Sequence, residues 1–425
     1  MIGVIIGSGI FRTPPDIAKN LGSPGLILAF WLLGGLLCLA GALTYAELGS
    51  MYPHSGGVYV FIREAFGPCP AFVFGWSYML LAKPFAAAGI AFVFAEHLNL
   101  LLGTQWDPRV ATTVMLAVLT AINIRGVRLS TGFAGVLTGL KFAALLGMVT
   151  LALILRKGDA ANFAATPAPR PLLDAAGPVM FAILWTYDGW ADVGAISGEV
   201  ENPQRRLPLI YCAGTAAIIA LYLSVNAVYL WLMPLSEMRE SETVAPQVMK
   251  TLVGPSGLLI VAAIVIVSTA GSSHASIMTG ARVSYAQARD GLLFRFIGHV
   301  HPRWHTPDVA LTVQLLLSCL ALWVLGSFQR LADGFVFTMW IFYALGGAAV
   351  FVLRWRRPHE IRPFRCPGYP IVPGVFILAA AAMTVLSLRD ETVLKACWLV
   401  ALAAGVPVYY LWRAWSGRGG GTTTG

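Results

Sequence analysis

Gly7-Ser8-Gly9-Ile10-Phe11 interrupts an apolar segment that is long enough to enter a membrane. Each glycine weakens a helix by roughly 1 kcal/mol relative to alanine, so this stretch is a poor continuous helix. Inside a bilayer, an opened turn leaves N–H and C=O groups that water cannot satisfy. The residues after the break would begin a new helix, whose free N–H groups and positive dipole end attract a carboxylate. The stretch therefore predicts an interrupted helix with a seat for an anion.

The whole chain has the composition of a membrane protein. It is 57% hydrophobic and only 12% charged, whereas about a quarter of the residues in a soluble domain are charged. Apolar segments of membrane-spanning length, about 20 residues, recur from one end of the chain to the other, and we count twelve of them. The sequence predicts an all-α polytopic membrane protein with twelve transmembrane helices and no separate soluble domain.

The basic residues are distributed unequally between the two sets of predicted loops. If the first span runs from inside to outside, most Lys and Arg residues of the loops fall on the inner side. This asymmetry predicts cytoplasmic N- and C-termini. The net charge of +9 then reflects membrane topology and not nucleic-acid binding.

A second interruption lies at Asp188-Gly189, in the middle of the sixth span. Discontinuous helices 1 and 6 predict a five-plus-five inverted repeat with halves at residues 1–155 and 175–353. The last two helices, at residues 371–413, lie outside the repeat, and all three parts form a single transport domain. Paired breaks at corresponding positions predict a transport site near the membrane midplane. Only residues 1–6 precede the first break, so we expect a short inner half-helix.

Lys141 lies near the middle of the fifth predicted span (span 5, residues 129–155), among leucines. A charge at this depth is costly and marks a functional candidate by default, although a lysine can also snorkel to the interface. The ammonium group could do what a bound Na⁺ would do and tie the opened span 1 to span 8 (residues 257–281). Alternatively, it could take up and release a proton during transport.

Several other side chains in the predicted spans have two interpretations. A buried imidazole needs partners, so His274 in span 8 is either a satisfied structural residue or a substrate contact. Beside the second break, Trp185 and Tyr187 are either packing aromatics or a roof over a small ligand. Asp188 is expected to cap N–H groups that the break frees, and Lys83 in span 3 is expected only to line a cavity.

The chain shows none of the common patterns of enzymes. There is no phosphate-cradling loop, no clustered His/Cys set and no nucleophile elbow, so we predict no catalytic residues, no metal and no cofactor. The six cysteines are scattered, mostly in apolar segments, which does not favour a disulfide framework.

In combination, five motifs resemble the L-amino acid transporter family within the amino acid–polyamine–organocation superfamily of permeases. They are Gly-Ser-Gly-Ile-Phe at residues 7–11, the segment at 45–68, the aromatic segment at 181–190, Ser-Gly-Glu-Val-Glu-Asn-Pro-Gln-Arg-Arg-Leu-Pro at 197–208, and the segment at 280–291. The resemblance implies that a substrate carboxylate meets backbone N–H groups at Gly7, Ser8 and Gly9, and that the substrate ammonium meets carbonyl groups near Ile5 and around residues 185–187.

The resemblance also implies roles for individual side chains. Trp185 stands where the family places an aromatic gate, and Lys141 stands where family members carry a lysine linked to ion-independent transport. His274 replaces an asparagine of many relatives, so it is a candidate for side-chain preference. The expected substrate-binding set is Ile5, Gly7, Ser8, Gly9, Trp185, Thr186, Tyr187, Gly189 and His274.

These observations together predict a Na⁺-independent L-amino acid permease, an exchanger, in a plasma membrane. Residues 103–108 hold no cysteine, so the disulfide to a glycoprotein partner that animal relatives form is not expected. Two alternatives remain open: a proton-coupled amino acid symporter, and a membrane-embedded amino acid sensor that binds its ligand without moving it.

Overall fold

Helices form the regular structure of this chain wherever it is described. The structure, a computed structural model, describes residues 1–54, 56–126, 130–388 and 392–418. The N-terminal α-helices are α1 (Ile2–Ile5), α2 (Gly9–Arg12), α3 (Pro14–Ala18), α4 (Pro24–Met51), α5 (Val58–Phe66), α6 (Pro68–Ser77), α7 (Lys83–Leu102), α8 (Pro108–Arg125) and α9 (Ser130–Leu155). The C-terminal α-helices are α10 (Leu172–Tyr187), α11 (Pro203–Leu232), α12 (Leu235–Glu240), α13 (Val244–Val253), α14 (Pro255–Arg289), α15 (Asp308–Leu325), α16 (Phe328–Arg356), α17 (Ile371–Ser387) and α18 (Thr392–Arg418).

Within the described residues, eight helical segments are long and apolar enough to cross a membrane by length and composition. They are α4, the continuous segment from α6 to α7, α9 from Thr138 onward, α11, α14, α15, α16 and most of α18. Three predicted spans correspond to shorter apolar helical segments, at Ile2–Arg12, Leu172–Tyr187 and Ile371–Ser387. The remaining predicted span, α8, is less apolar because it includes several threonines and Asn123. This architecture fits a polytopic membrane protein, and the count of twelve spans stays a prediction.

The outward faces of the helices are apolar. Leu33 and Leu36 of α4 are 48% and 49% exposed, and Val114, Val118 and Ile122 form an exposed stripe along α8. The four-residue spacing of that stripe places its members on one helix face. Contiguous apolar surface of this kind is suited to contact with lipid or another protein.

Glycines on α4 let neighbouring helices approach closely. A Cβ atom at Gly34 would lie 2.4 Å from a side-chain carbon of Ile183 in α10. A Cβ atom at Gly35 would lie 2.8 Å from Ile219 in α11. Small residues at helix contacts are typical of membrane bundles. The two glycines therefore allow α4 to pack closely against α10 and α11.

Candidate functional site

The first predicted span, called helix 1 below, is interrupted at the stretch that the sequence predicts. α1 ends at Ile5 and α2 begins at Gly9, so residues 6–8 form a break. The N–H group of Gly7 donates to the carbonyl of Ile5 at 2.7 Å. The N–H groups of residues 8–10 donate to no backbone carbonyl within the described part of the chain. They are therefore available to a ligand.

The second predicted break lies directly against the first. α10 ends at Tyr187, and a 3₁₀ segment, Ala191–Glu199, continues the chain. Between them Gly189 has a φ of +110°, which favours glycine. A Cβ atom at Gly189 would lie 2.9 Å from Cγ1 of Val4 and 3.2 Å from the backbone nitrogen of Ile5. The absence of a side chain at Gly189 brings the two breaks into contact.

The segments beyond each break also meet closely. A Cβ atom at Gly9 would lie 2.6 Å from Cα of Thr186. The hydroxyl groups of Thr13 and Thr186 lie 3.0 Å apart and share a hydrogen bond. α2 and the end of α10 are thus fixed against each other.

A cavity of about 40 Å³ lies between the breaks. A buried water needs about 10–15 Å³ by this type of measure, so the cavity has room for about three waters. A bulky ligand would require lining side chains to move. The lining residues are Val4, Ile5, Gly7, Ser8, Gly9, Lys83, Ala86, Ile90, Trp185, Thr186, Asp188, Gly189, Asp192, Ser276 and Phe335.

Three charged side chains line one part of the cavity. The Lys83 ammonium donates to both carboxylate oxygens of Asp192, at 3.0 and 2.8 Å. Asp188 accepts a hydrogen bond from the Tyr343 hydroxyl at 2.8 Å. This hydrogen bond ties Asp188 to α16, and its expected role as a cap of freed N–H groups stays a prediction. Lys83 likewise does more than line the cavity, because it pairs with the 3₁₀ segment.

Local sequence explains how Lys83 reaches the cavity. Proline at position 84 has no N–H to donate within the helix, and its ring crowds the preceding turn. The chain relaxes here into a π-helical turn, Tyr78–Ala82, immediately before Lys83. From Lys83 the spacing to Ala86 and Ile90 keeps all three on one face of α7, and all three line the cavity.

Lys141 is buried and clamps the opened helix. Its Nζ donates to the carbonyls of Gly3 and Ile6 at 3.2 and 3.1 Å, and to Oγ of Ser272 at 2.7 Å. Ser272 also donates to the carbonyl of Ile6 at 3.2 Å. An ammonium has three protons to donate, and three oxygens surround this one. The contacts join α9, α1 and α14, which is the tie that the sequence suggests.

Trp185 stands between the cavity and an aromatic cluster. Its ring makes edge-to-face contacts with Phe328 and Phe335, with centroids 5.6 and 5.4 Å away. The ring would also lie 3.0 Å from a Cβ atom at Gly89 of α7. Phe335 lines the cavity as well. This end of the cavity is apolar, in contrast to the end at Lys83.

Two buried hydroxyl groups in the lining have no hydrogen-bond partner within the described residues. They belong to Ser8 and Ser276, which are 2% and 3% exposed. Leaving a buried polar group unsatisfied costs about 1–3 kcal/mol. A ligand or a water in the cavity would supply the missing partner.

Most of the residues proposed from the sequence as substrate contacts line this cavity. They are Ile5, Gly7, Ser8, Gly9, Trp185, Thr186 and Gly189. Lys141 lies behind the opened turn. The N–H of Gly7 is already bonded, so the free donors begin one residue later than expected.

The structure places Tyr187 and His274 outside the cavity lining, contrary to expectation. The Tyr187 ring packs against Trp31 and Tyr222, with centroids 5.6 and 5.2 Å away. The His274 Nδ1 atom lies 3.0 Å from the Asn123 side-chain nitrogen of α8. Two residues correspond to about 200° around a helix, so His274 faces away from Ser276 and the cavity.

Sequence reasoning did not find Val4, Ala86, Ile90, Asp192 and Phe335. The helical spacing from Lys83 would have found Ala86 and Ile90 once Lys83 was placed in a cavity. Asp192 follows the second break by only a few residues, and it carries a charge in an otherwise apolar segment. That charge was the available signal.

Comparison with known proteins gives an independent result. The family model described as amino acid permease matches residues 1–407. The cystine/glutamate transporter of Homo sapiens is 32% identical over 422 residues, which are 98% of this chain and 83% of that protein. The serine/threonine exchanger SteT of Bacillus subtilis is 32% identical over 417 residues, 96% of this chain and 94% of that protein. The b(0,+)-type amino acid transporter 1 of Mus musculus is 28% identical over 97% of this chain and 85% of that protein.

Proposed function

Because this chain belongs to the amino acid permease family, we propose that it moves L-amino acids across a plasma membrane by alternating access. The family and the relatives are transporters and not enzymes. The observation that carries the proposal is the cavity between two broken helices, lined by N–H groups and hydroxyls that have no hydrogen-bond partner among the described residues. Such breaks are where secondary transporters bind a charged substrate.

The substrate backbone is bound at the two breaks in this proposal. Its carboxylate accepts hydrogen bonds from the N–H groups at the start of α2, from Ser8 and Gly9. Its ammonium donates to carbonyl groups near Ile5 and around residues 185–187. The substrate side chain then extends toward α7 and Trp185, which form the rest of the lining.

Transport without Na⁺ is the second part of the proposal. A Na⁺ ion in this position would be held by carbonyl and hydroxyl oxygens, and the Lys141 ammonium already bonds to such oxygens. A fixed cation makes a bound ion unnecessary for keeping α1 attached to α14. Exchange is the proposed mode, and one relative is itself named an exchanger.

The proposed architecture follows the predicted repeat. Residues 1–155 and 175–353 form two inverted halves of five spans each, residues 371–413 add the last two of the twelve helices, and both termini are cytoplasmic. The breaks support this arrangement because each lies in the first helix of a proposed half. No disulfide-linked glycoprotein subunit is included in the proposal.

Counter-flow into liposomes tests the proposed function. The purified protein is reconstituted in Na⁺-free buffer, the liposomes are loaded with one unlabelled amino acid from a panel, and uptake of the radiolabelled amino acid is measured. We expect uptake that requires amino acid inside and is unchanged by added Na⁺. Uptake into empty liposomes driven by a pH gradient would instead show proton-coupled symport. Binding without any flux would show a sensor, and no binding or flux for any amino acid would overturn the proposal.

A further inference from the structure

The charged part of the cavity contains one cation and two carboxylates. The side chains of Lys83 and Asp192 are 4% and 13% exposed, so their ion pair is nearly enclosed. The Lys83 ammonium also lies 5.3 Å from the centre of the Tyr78 ring. Asp188 is the other charged side chain of the lining, and Tyr343 donates to it.

A buried ammonium in a substrate cavity would by itself attract a substrate with an anionic side chain. Burying an isolated charge is costly, and a paired one is much less so. Here Asp192 provides both of its oxygens to Lys83. An anionic side chain that entered would have to displace Asp192 or lie near two carboxylates, since the described lining of the cavity contains no basic side chain other than Lys83.

We infer that Asp192 makes this permease selective for amino acids with small neutral side chains by neutralising Lys83 and so excluding anionic ones. The inference rests on the proposed function and specifies its substrate class. The small volume of the cavity agrees with a small substrate. Lys83 could bind an anionic substrate side chain, but Asp192 already forms an ion pair with it.

The pair could also serve only as a link between α7 and the 3₁₀ segment Ala191–Glu199. A link of that kind affects all substrates to the same extent. A role in selectivity instead changes the ratio of the inhibitory potencies of an anionic substrate and its neutral counterpart. L-aspartate and L-asparagine have nearly the same shape and differ in charge, so their ratio separates the two roles.

The experiment compares the two amino acids as inhibitors of L-serine counter-flow in liposomes. In the wild type, we expect asparagine to inhibit at concentrations where aspartate does not. In Asp192→Asn, the potency of aspartate relative to asparagine should rise by about tenfold or more, because one recovered interaction of 1.4 kcal/mol is tenfold. The double variant Lys83→Gln/Asp192→Asn should return to the wild-type ratio.

A control and a second readout complete the test. Glu201→Gln makes the same chemical change in an exposed ion pair with Arg206 and should leave the ratio unchanged. If Asp192→Asn does not transport, the thermal stabilisation of the purified variant by each amino acid gives the ratio instead. An unchanged ratio, or an Asp192→Asn protein that neither amino acid stabilises, overturns the inference. If liposomes that contain the wild-type protein take up no amino acid, the proposed function is overturned instead.

Discussion

At the scale of single residues, the buried Lys141 ammonium is satisfied by the opened turn of helix 1. Its ammonium is buried among apolar helices, where an unpaired charge would be very costly. The opened turn of helix 1 supplies two carbonyls that a continuous helix would have used internally. The broken helix and the buried lysine therefore stabilise each other.

Replacement of Lys141 by alanine should reduce transport strongly. Charge-assisted hydrogen bonds contribute about 1.5–3 kcal/mol each, and 1.4 kcal/mol corresponds to tenfold, so we expect uptake to fall by at least about tenfold. Ser272→Ala, which removes one of the oxygens, should have a smaller effect. Initial rates of counter-flow, normalised to the amount of protein inserted, give the comparison.

Lys250→Ala is the matched control for this prediction, because Lys250 is exposed on α13. Its uptake should equal that of the wild type. Normal uptake by Lys141→Ala would show that the clamp has no role in transport.

Charged residues within apolar segments were the most informative part of the sequence at this scale. Lys141 was predictable because its depth in span 5 requires polar partners. Asp192 was not recognised because its partner Lys83 lies 109 positions away, and no local pattern connects them. His274 was misplaced because a polar residue near a site does not reveal which helix face it occupies.

At the scale of helices, the two breaks hold each other in place through glycine. Gly189 combines a positive φ with close contact to Val4. Gly189→Ala should therefore strain the backbone by about 1–3 kcal/mol and push the two breaks apart. We expect a lower melting temperature in detergent together with at least about tenfold lower uptake.

Gly147→Ala is the corresponding control in α9. A Cβ atom at Gly147 would meet no atom within 4 Å, and alanine has the higher helix propensity. Its stability and uptake should match or slightly exceed those of the wild type. Equal behaviour of the two alanine variants would contradict the close contact between the breaks.

The positions of the breaks were predictable from glycine placement, but the structure around them was not. The residues after the first break were expected to begin one new helix, and they form two short helices, α2 and α3, instead. Pro14 and Pro15 begin the second of these helices, and they were the signal for the division. The 3₁₀ segment Ala191–Glu199 has no comparable signal, because it packs against residues far away in the chain: a Cβ atom at Gly194 would lie 2.7 Å from Cα of Gly57 and 3.1 Å from the Tyr211 hydroxyl.

At the scale of the whole molecule, an ion-pair network joins distant parts of the chain at one end of the bundle. Glu47 is 1% exposed and accepts two hydrogen bonds from Arg354, at 2.9 and 2.6 Å. It also accepts from the backbone N–H of Cys366 at 2.7 Å, and Arg362 lies 3.5 Å away. The network fixes the segment after α16 onto the end of α4.

Glu47→Gln should destabilise the protein substantially. Breaking a buried ion pair costs about 3–5 kcal/mol, and the partial exposure of Arg354 lowers this to about 2–3 kcal/mol. Thermal unfolding in detergent measures the effect. Glu201→Gln removes an exposed pair and should cost less than about 1 kcal/mol. Equal melting temperatures for the two variants would contradict the importance of the network.

Tyr52, at the same end, predicts a dependence of stability on alkaline pH. Burial, together with its hydrogen bond to the Glu360 carboxylate, raises the pKa of Tyr52 from 10.0 to about 12. The folded state thus retains a proton that the unfolded state loses, so this stabilisation is complete below pH 10 and declines as the pH rises toward 12. Tyr52→Phe should show a smaller decline in melting temperature over that range than exposed Tyr410→Phe does. Identical declines would show that Tyr52 makes no contribution.

Composition and the recurring apolar segments were together sufficient to predict a helical membrane protein, because hydrophobic residues make up 57% of the chain and lie in stretches long enough to span a bilayer. These sequence features were not sufficient to predict which residues at the helix ends contact each other. Glu47 and Arg354 are 307 positions apart, and their pairing depends on the packing of the whole bundle. The cavity is unpredictable in detail for the same reason, since α7, α10, α14 and α16 all contribute to it.

The central claim is that the opened turn of helix 1 binds the carboxylate of an amino acid. The most direct test uses an L-amino acid that the wild-type protein transports, together with its carboxamide, which keeps the ammonium and the side chain and lacks the negative charge. We expect the amino acid to inhibit counter-flow of its radiolabelled form and the carboxamide to inhibit at least about a hundredfold more weakly, since two charge-assisted bonds are lost. Equal inhibition by the carboxamide would contradict the claim.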